Sequence, residues 1–224
     1  MAKLALFDLD DTLVDRTAAF HIWAQEFVVD HSLDEGSLSF LLNSGERHSG
    51  PMGGFFETIR RALGLTDPVE RLWAQYRRRM PELVSCRPRD MAALAQLREA
   101  GWRVGIVTNG MTDSQLGKLR QTGLDELVDG WCISEEAGLR KPDPAIFQLA
   151  AARCAAERPS IGWMVGDNLQ HDVVGARAAG LGAIWIRPNG ILAPEVVSIT
   201  PDHIVGTVAE AATVILTASQ TEPQ

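Results

Sequence analysis

The sequence predicts a doubly wound α/β protein carrying a helical insert near its start. Three observations lead there. From Pro88 onward, short apolar runs alternate with helical stretches, the pattern of a parallel sheet covered on both faces. A separate strand-like run, Leu4-Ala5-Leu6-Phe7, stands far upstream and ends abruptly in acids. Between the two, the apolar residues follow helical spacing and not the alternation of a strand.

Taken in order, the first strand ends at Asp8. Phe20, Trp23, Phe27 and Val28 then mark a helix, with Asp15 or Thr17 as its cap. A weaker helix is expected over 33–43. Residues 43–54, rich in Gly, Ser and Pro, read as a loop. Phe56, Ile59 and Leu63 form a second helical stripe closed by Gly64. Val69, Leu72, Trp73, Tyr76 and Met80 form a third, opened by Thr66-Asp67-Pro68. The expected division is an α/β core of residues 1–15 and 85–224 and a helical insert of 16–84, hinged at 13–18 and 81–88.

In the core, Met91, Leu94 and Leu97 mark a helix stopped by Gly101. Strands are expected at 102–107, 131–133, 161–165 and 183–186. Helices fall near 113–122, 144–156 and 171–179. The last eight or so residues, polar and ending Glu222-Pro223-Gln224, are expected to be disordered.

Bulk properties narrow the function. With 224 residues, 46% of them hydrophobic, the chain can bury one large core plus a smaller insert. A net charge of −8 argues against nucleic acid as a partner, because phosphate backbones are bound by Lys and Arg. It does not argue against a small phosphorylated metabolite, since a bound divalent cation reverses the local field. Cys86, Cys132 and Cys154 are an odd set without metal-ligand spacing, so a reducing, cytoplasmic setting is the default. The apolar start is too short for a signal peptide, and no run of about 18 apolar residues suggests a membrane span. Of the 21 basic residues only Lys3, Lys118 and Lys141 are lysines. Lys3 and Lys118 read as solvated surface. Lys141 sits on a loop just before Pro142-Asp143-Pro144, the start of a helix, from which it can reach the end of the sheet.

The chemistry converges at strand ends. Asp8 and Asp10, at i and i+2, project to one face of an extended chain roughly 6–7 Å apart. Crowding like charges at the end of a buried strand is costly, so a cation or a shared proton is expected there. A second strand ends in Thr108-Asn109-Gly110 and a later one in Gly166-Asp167. Ligands of open parallel sheets bind in the crevice beyond such ends.

Four motifs occur in order: Asp8-Leu9-Asp10-Asp11-Thr12 (D-x-D-x-T), Thr108, Lys141 within Arg140-Lys141-Pro142-Asp143-Pro144, and Gly166-Asp167 followed by Asp172. Together they resemble the haloacid dehalogenase superfamily, most of whose members are phosphatases. The insert resembles the small helical cap (C1 type) of the subgroup containing phosphoglycolate phosphatases. The resemblance implies a Rossmann-like core, a Mg²⁺ cofactor and phosphatase activity. Asp8 then fits the nucleophile of an aspartyl-phosphate mechanism, and Asp10 the acid that protonates the leaving group and later activates water. Thr108 and Lys141 would hold the phosphoryl oxygens. Asp8 and Asp167 would bind the metal, with the Asp10 carbonyl as a third protein ligand and Asp172 acting through water or on the metal's shell.

Each residue also has a plainer reading. Thr108 and Asn109 can simply open a turn, Lys141 can be a surface side chain, and Asp172 can be an acid favoured at a helix start. Asn109, Arg47 and His48 are substrate-contact candidates, the last two in the Gly-rich insert segment. Asp11 is read as a loop acid, outside the metal site. Among activities, Asp10 favours phosphate chemistry over the 2-haloacid dehalogenases of the superfamily, which lack this second acid. The absence of any Lys from 16–84 disfavours phosphonatases that use a cap lysine. A phosphomutase is the main alternative. A non-catalytic binding protein is disfavoured, because no catalytic group is missing.

Overall fold

A computed structural model describes residues 2–48, 50, 52–157, 159–187 and 200–218. The chain divides into two compact units, Met1–Asp15 with Ser85–Gln224, and Arg16–Val84. The first is built on one parallel sheet of β1 (Lys3–Phe7), β2 (Trp102–Thr108), β3 (Gly130–Ile133), β4 (Ile161–Gly166), β5 (Gly182–Ile186) and β6 (His203–Val205). The strand order is β3-β2-β1-β4-β5-β6. β1 is central because Leu4 to Phe7 are all apolar and fully buried. A parallel strand covered on both faces needs such a continuous run.

The second unit comprises α1 (Arg16–Asp30), α2 (Glu35–Arg47), α3 (Met52–Ala62) and α4 (Val69–Leu83). Phe20, Trp23 and Phe27 on α1 meet Phe55, Phe56 and Tyr76 in one aromatic cluster, with ring centroids 4.9–6.4 Å apart. Edge-to-face geometry dominates, as ring quadrupoles favour. α2 starts at Asp34, whose carboxylate accepts the Ser37 N–H at 2.9 Å.

The first unit's helices are α5 (Pro88–Glu99), α6 (Thr112–Thr122), α7 (Leu124–Leu127), α8 (Ser134–Ala137), α9 (Pro144–Arg153), α10 (Gly175–Ala178) and α11 (Val208–Ala218). α5 and α11 pack together on the sheet, as do α9 and α10, so helices cover both of its faces. Leu4 and Leu6 share a core with Ile146, Phe147 and Ala150 of α9. Val14 and Cys86, on the two segments leading to and from the second unit, form an isolated antiparallel bridge. Among the described residues, no helix is long and apolar enough to cross a membrane.

Several sequence expectations need correction. The weak helix expected over 33–43 is α2, which runs to Arg47, and α3 begins at Met52, so most of the expected 43–54 loop is helical. Gly45 shows why. A Cβ there would lie 2.5 Å from the Phe20 ring, so this glycine marks a close crossing of helices and not a break. The helix expected over 144–156 stops at Arg153, with Ala155 in the left-handed region at φ 53°. The helix expected at 171–179 is a π-helical turn, Leu169–Val174, leading into α10. β6, α7, α8 and α11 have no counterpart in the pattern expected from the sequence. Thr217 and Ala218 of the expected disordered tail close α11, and the rest of that tail lies outside the described residues.

Gly45→Ala tests the helix crossing. The substitution gains up to about 1 kcal/mol of helix propensity, but overpacking against a ring wedged among other rings costs roughly 1–3 kcal/mol. The variant should therefore unfold at lower urea concentration than wild type. Unchanged or greater stability would mean that Phe20 is not confined.

Candidate active site

The strand order reverses at β1, which has β2 on one side and β4 on the other, so the crevice opens at its carboxyl end. Asp8 continues the ladder one step beyond the strand, donating its N–H to Val165 O at 2.9 Å. That bond fixes its backbone while the carboxylate leaves the sheet. Lys141 reaches it from the loop before α9, a helix started by Pro144 and by the Asp143 carboxylate, which accepts the Ala145 N–H.

The Lys141 ammonium donates to Asp8 Oδ1 at 2.7 Å and to Asp172 Oδ1 at 2.6 Å. Its side chain is only 2% exposed. The Asn109 amide grips the lysine's own backbone, accepting its N–H at 2.9 Å and donating to its C=O at 3.1 Å. Asn109 thus joins the end of β2 to the Lys141 loop.

Asp172 lies on the π-helical turn after β4, and its second oxygen accepts the Asn168 N–H at 3.0 Å. A Cβ on Gly166 would overlap this carboxylate, so only glycine leaves room for it. Asp167 is held through its backbone, its C=O accepting the Trp185 indole N–H at 2.7 Å. Carboxylate oxygens of Asp8, Asp167 and Asp172 lie within 4.8 Å of one another.

Their proton affinities reflect that crowding. Burial raises Asp8 well above the ordinary carboxylate range; Lys141 opposes the rise, and Asp172 and Asp167 add to it. Asp167 is pushed up to about 7 by burial and then by Asp172 and Asp11, against the pull of Lys141. Burial disfavours the charge on Lys141, but Asp172 and Asp8 outweigh it and hold its proton more tightly than in a free lysine. A single ammonium thus serves three clustered acids. Oxygen ligands of this number and closeness suit a hard divalent cation.

Asp10 belongs to a different network. Lys118 donates to both its carboxylate oxygens, at 2.6 and 2.8 Å, and Gln115 Nε2 donates to Oδ2 at 3.1 Å. The same Gln115 nitrogen lies 2.6 Å from Thr108 Oγ1. The Asp10 carboxylate is thus not one of the three clustered acids. Asp11 takes a left-handed φ of 57° and donates its N–H to Val14 O at 2.8 Å, in the tight loop after β1.

Sequence reasoning misplaced Lys118 and missed Gln115. Lys118 is buried, not solvated, at 4% exposure. The available signal was helical spacing, since Ser114, Gln115, Lys118 and Leu119 form the buried stripe of α6. Arg47 and His48 lie in the second unit, at the last residue and C-cap of α2, with the His48 ring 5.9 Å edge-on from Phe55.

Residues 2–180 match the haloacid dehalogenase-like hydrolase family. The phosphoserine phosphatase of Thermus thermophilus is 34% identical over 93% of this chain and 97% of its own length. The ribulose-1,5-bisphosphate 5-phosphatase of Halopiger xanaduensis is also 34% identical, over 84% of this chain and 86% of its own. In fold, the magnesium-bound hydrolase YfnB of Bacillus subtilis superposes with a TM-score of 0.77, covering 96% of this chain and 98% of that one at 22% identity. With β1 to β4 and all four motifs inside the matched span, the chain belongs to the haloacid dehalogenase-like hydrolases.

Proposed function

We propose that the protein is a Mg²⁺-dependent phosphatase that hydrolyses a small phosphorylated metabolite through an aspartyl-phosphate on Asp8. The observation that carries this reading is the separation of the two motif acids. Asp8 is grouped with Asp167 and Asp172 around Lys141, whereas two residues on Asp10 is held by Lys118 and Gln115. This separation supports a reading in which one acid attacks and the other moves protons.

In the first half-reaction an Asp8 oxygen attacks phosphorus, the bond to the leaving oxygen breaks, and Asp10 gives that oxygen a proton. In the second, Asp10 takes a proton from water, which displaces Asp8 and releases inorganic phosphate. Lys141 has three N–H donors, and Asp8 and Asp172 engage two, leaving one for a phosphoryl oxygen. Thr108 Oγ1 accepts from Gln115, which directs its own O–H toward another acceptor. Asn109 supports this arrangement through the Lys141 backbone.

The residues fit a divalent cation, because Asp8 and Asp167 hold raised proton affinities that a bound cation would relieve. Asp8, Asp167 and the Asp10 carbonyl would hold it, with Asp172 in its surrounding shell. When bound, Mg²⁺ offsets negative charge on the phosphoryl oxygens. Arg47 and His48 of the second unit are the proposed substrate contacts, the Arg47 guanidinium supplying a charge and both side chains N–H groups that suit an anionic metabolite. Three free cysteines support a reducing, cytoplasmic setting.

The direct test is hydrolysis of p-nitrophenyl phosphate with and without Mg²⁺. Asp8→Asn should abolish turnover, and Asp10→Asn should lower it by about 10²–10⁴-fold. Mg²⁺-independent turnover, or an active Asp8→Asn variant, would sink the proposal. Lys141→Arg should not rescue activity despite keeping the charge, because a planar guanidinium cannot replace a compact ammonium in so closed a site. Near-normal kcat in that variant would reject the geometric role.

A pH experiment checks the metal site. In the metal-free protein Asp167 titrates near 7 when folded and near 4 when unfolded. The folded state therefore binds more protons across that window and loses stability as pH rises through it. Asp167→Asn should remove this loss, raising the metal-free Tm at pH 8 relative to wild type but not at pH 4. Added Mg²⁺ should stabilise wild type more at pH 8 than at pH 5.5, where it competes with protons. An equal Mg²⁺ shift at both pH values would count against these ligands.

A further inference from the structure

Two of the three lysines are buried, and each is bonded to one of the two motif acids: Lys141 to Asp8, and Lys118 to Asp10. In a chain that otherwise uses Arg, this choice is informative. Lysine is rarely buried without a partner, and an ammonium acts as a compact point charge. An ion pair this enclosed adds little stability over apolar packing, so stability alone is a weak reason to keep it. Two further features serve the same few atoms. Gln115 stands one helical turn before Lys118 on α6, and its amide nitrogen spans Asp10 Oδ2 and Thr108 Oγ1. Gly110, just before α6, shows no left-handed φ, yet a Cβ there would lie 2.7–2.9 Å from the Gln115 side chain. Its lack of a side chain lets Gln115 pass inward.

We propose that Lys118 and Gln115 are positioning residues that hold the Asp10 carboxylate oriented toward the water that attacks phosphorus of the aspartyl-phosphate on Asp8. The inference rests on the phosphatase reading above and goes beyond it by assigning the Lys118–Gln115 cradle to the second half-reaction. With N–H donors aimed at both its oxygens, the Asp10 carboxylate is fixed in position and orientation. As the water proton passes to Asp10, the water oxygen bonds to phosphorus, the bond from Asp8 to phosphorus breaks with its electron pair returning to the Asp8 carboxylate, and inorganic phosphate leaves. Gln115 fixes this orientation relative to Thr108.

Pre-steady-state hydrolysis of p-nitrophenyl phosphate by the full chain with Mg²⁺ separates the two halves. Its leaving group departs with little help from an acid, so Asp8 is still phosphorylated when Asp10 is misplaced. Lys118→Met should lower kcat by about 10–100-fold, lower KM with it, and release a burst of p-nitrophenol approaching one equivalent per active site. Asp10→Asn should show the same burst, and adding Lys118→Met to it should change kcat less than about twofold, because the lysine acts through Asp10. Gln115→Met, which keeps the ion pair, should give a smaller loss with the same burst and covers the case in which Lys118→Met does not fold.

A folded Lys118→Met or Gln115→Met variant that loses kcat without a burst overturns the proposal, as does a Lys118→Met effect that multiplies with that of Asp10→Asn. If Asp10→Asn itself gives no burst while Asp8→Asn still turns over, the phosphoenzyme reading has failed as well. The two failures are therefore distinguishable.

Discussion

The site depends on one buried ammonium. Lys141 lies between Asp8 and Asp172 and bonds to both, drawing together distant parts of the core unit. Asp8 directly follows β1, Asp172 lies on the turn after β4, and Lys141 precedes α9. Asn109 adds the end of β2 by clasping the Lys141 backbone. Charges near 3 Å apart in a closed site interact far more strongly than in water, although desolvation takes back much of that gain. The result is an arrangement in which three carboxylates crowd around one positive charge. Burial and mutual repulsion leave Asp8 and Asp167 with more affinity for protons than free carboxyls. The same excess is what a divalent cation can satisfy.

Beside this cluster stands a second and separate network. Lys118 and Gln115 on α6 hold Asp10 through three N–H contacts, and Gln115 continues to Thr108. Asp8 and Asp10 are two residues apart, yet they meet different surroundings. Asp8 is enclosed among other acids, whereas Asp10 faces donors. Two carboxyl groups with identical intrinsic chemistry can therefore take unequal roles, and the difference comes from neighbours more than a hundred residues away in sequence.

Backbone devices make room for both networks. The π-helical turn Leu169–Val174 carries Asp172, and Gly166 leaves the space that its carboxylate occupies. Such turns recur at functional sites because an extra residue re-aims a side chain without ending the helix. Gly110 does the same for Gln115, and in the second unit Gly45 lets α2 approach the Phe20 ring. None of these three glycines takes a left-handed φ. Each is there because another group needs the volume of a Cβ.

Much was legible in the sequence. Continuous apolar runs identified the buried parallel strands, because such strands cannot alternate with polar residues when both faces are covered. The helical periodicity of 16–84 and the ordered motifs Asp8/Asp10, Thr108, Lys141 and Asp167/Asp172 follow from local pattern and spacing. Other features depended on long-range packing. The Gly-rich segment 43–54 looked like a loop because a glycine's sequence signal is the same whether it breaks a helix or admits a neighbouring ring. Lys118 looked solvated because its partner lies 108 residues away. Three-residue β6 lacks the length for a period to show. The sequence by itself determined which chemical groups the chain carries and at which strand ends they fall. Only the tertiary structure decided which lysine neutralises which acid, since charge pairing is set by distance in space and period-based reading reports distance along the chain.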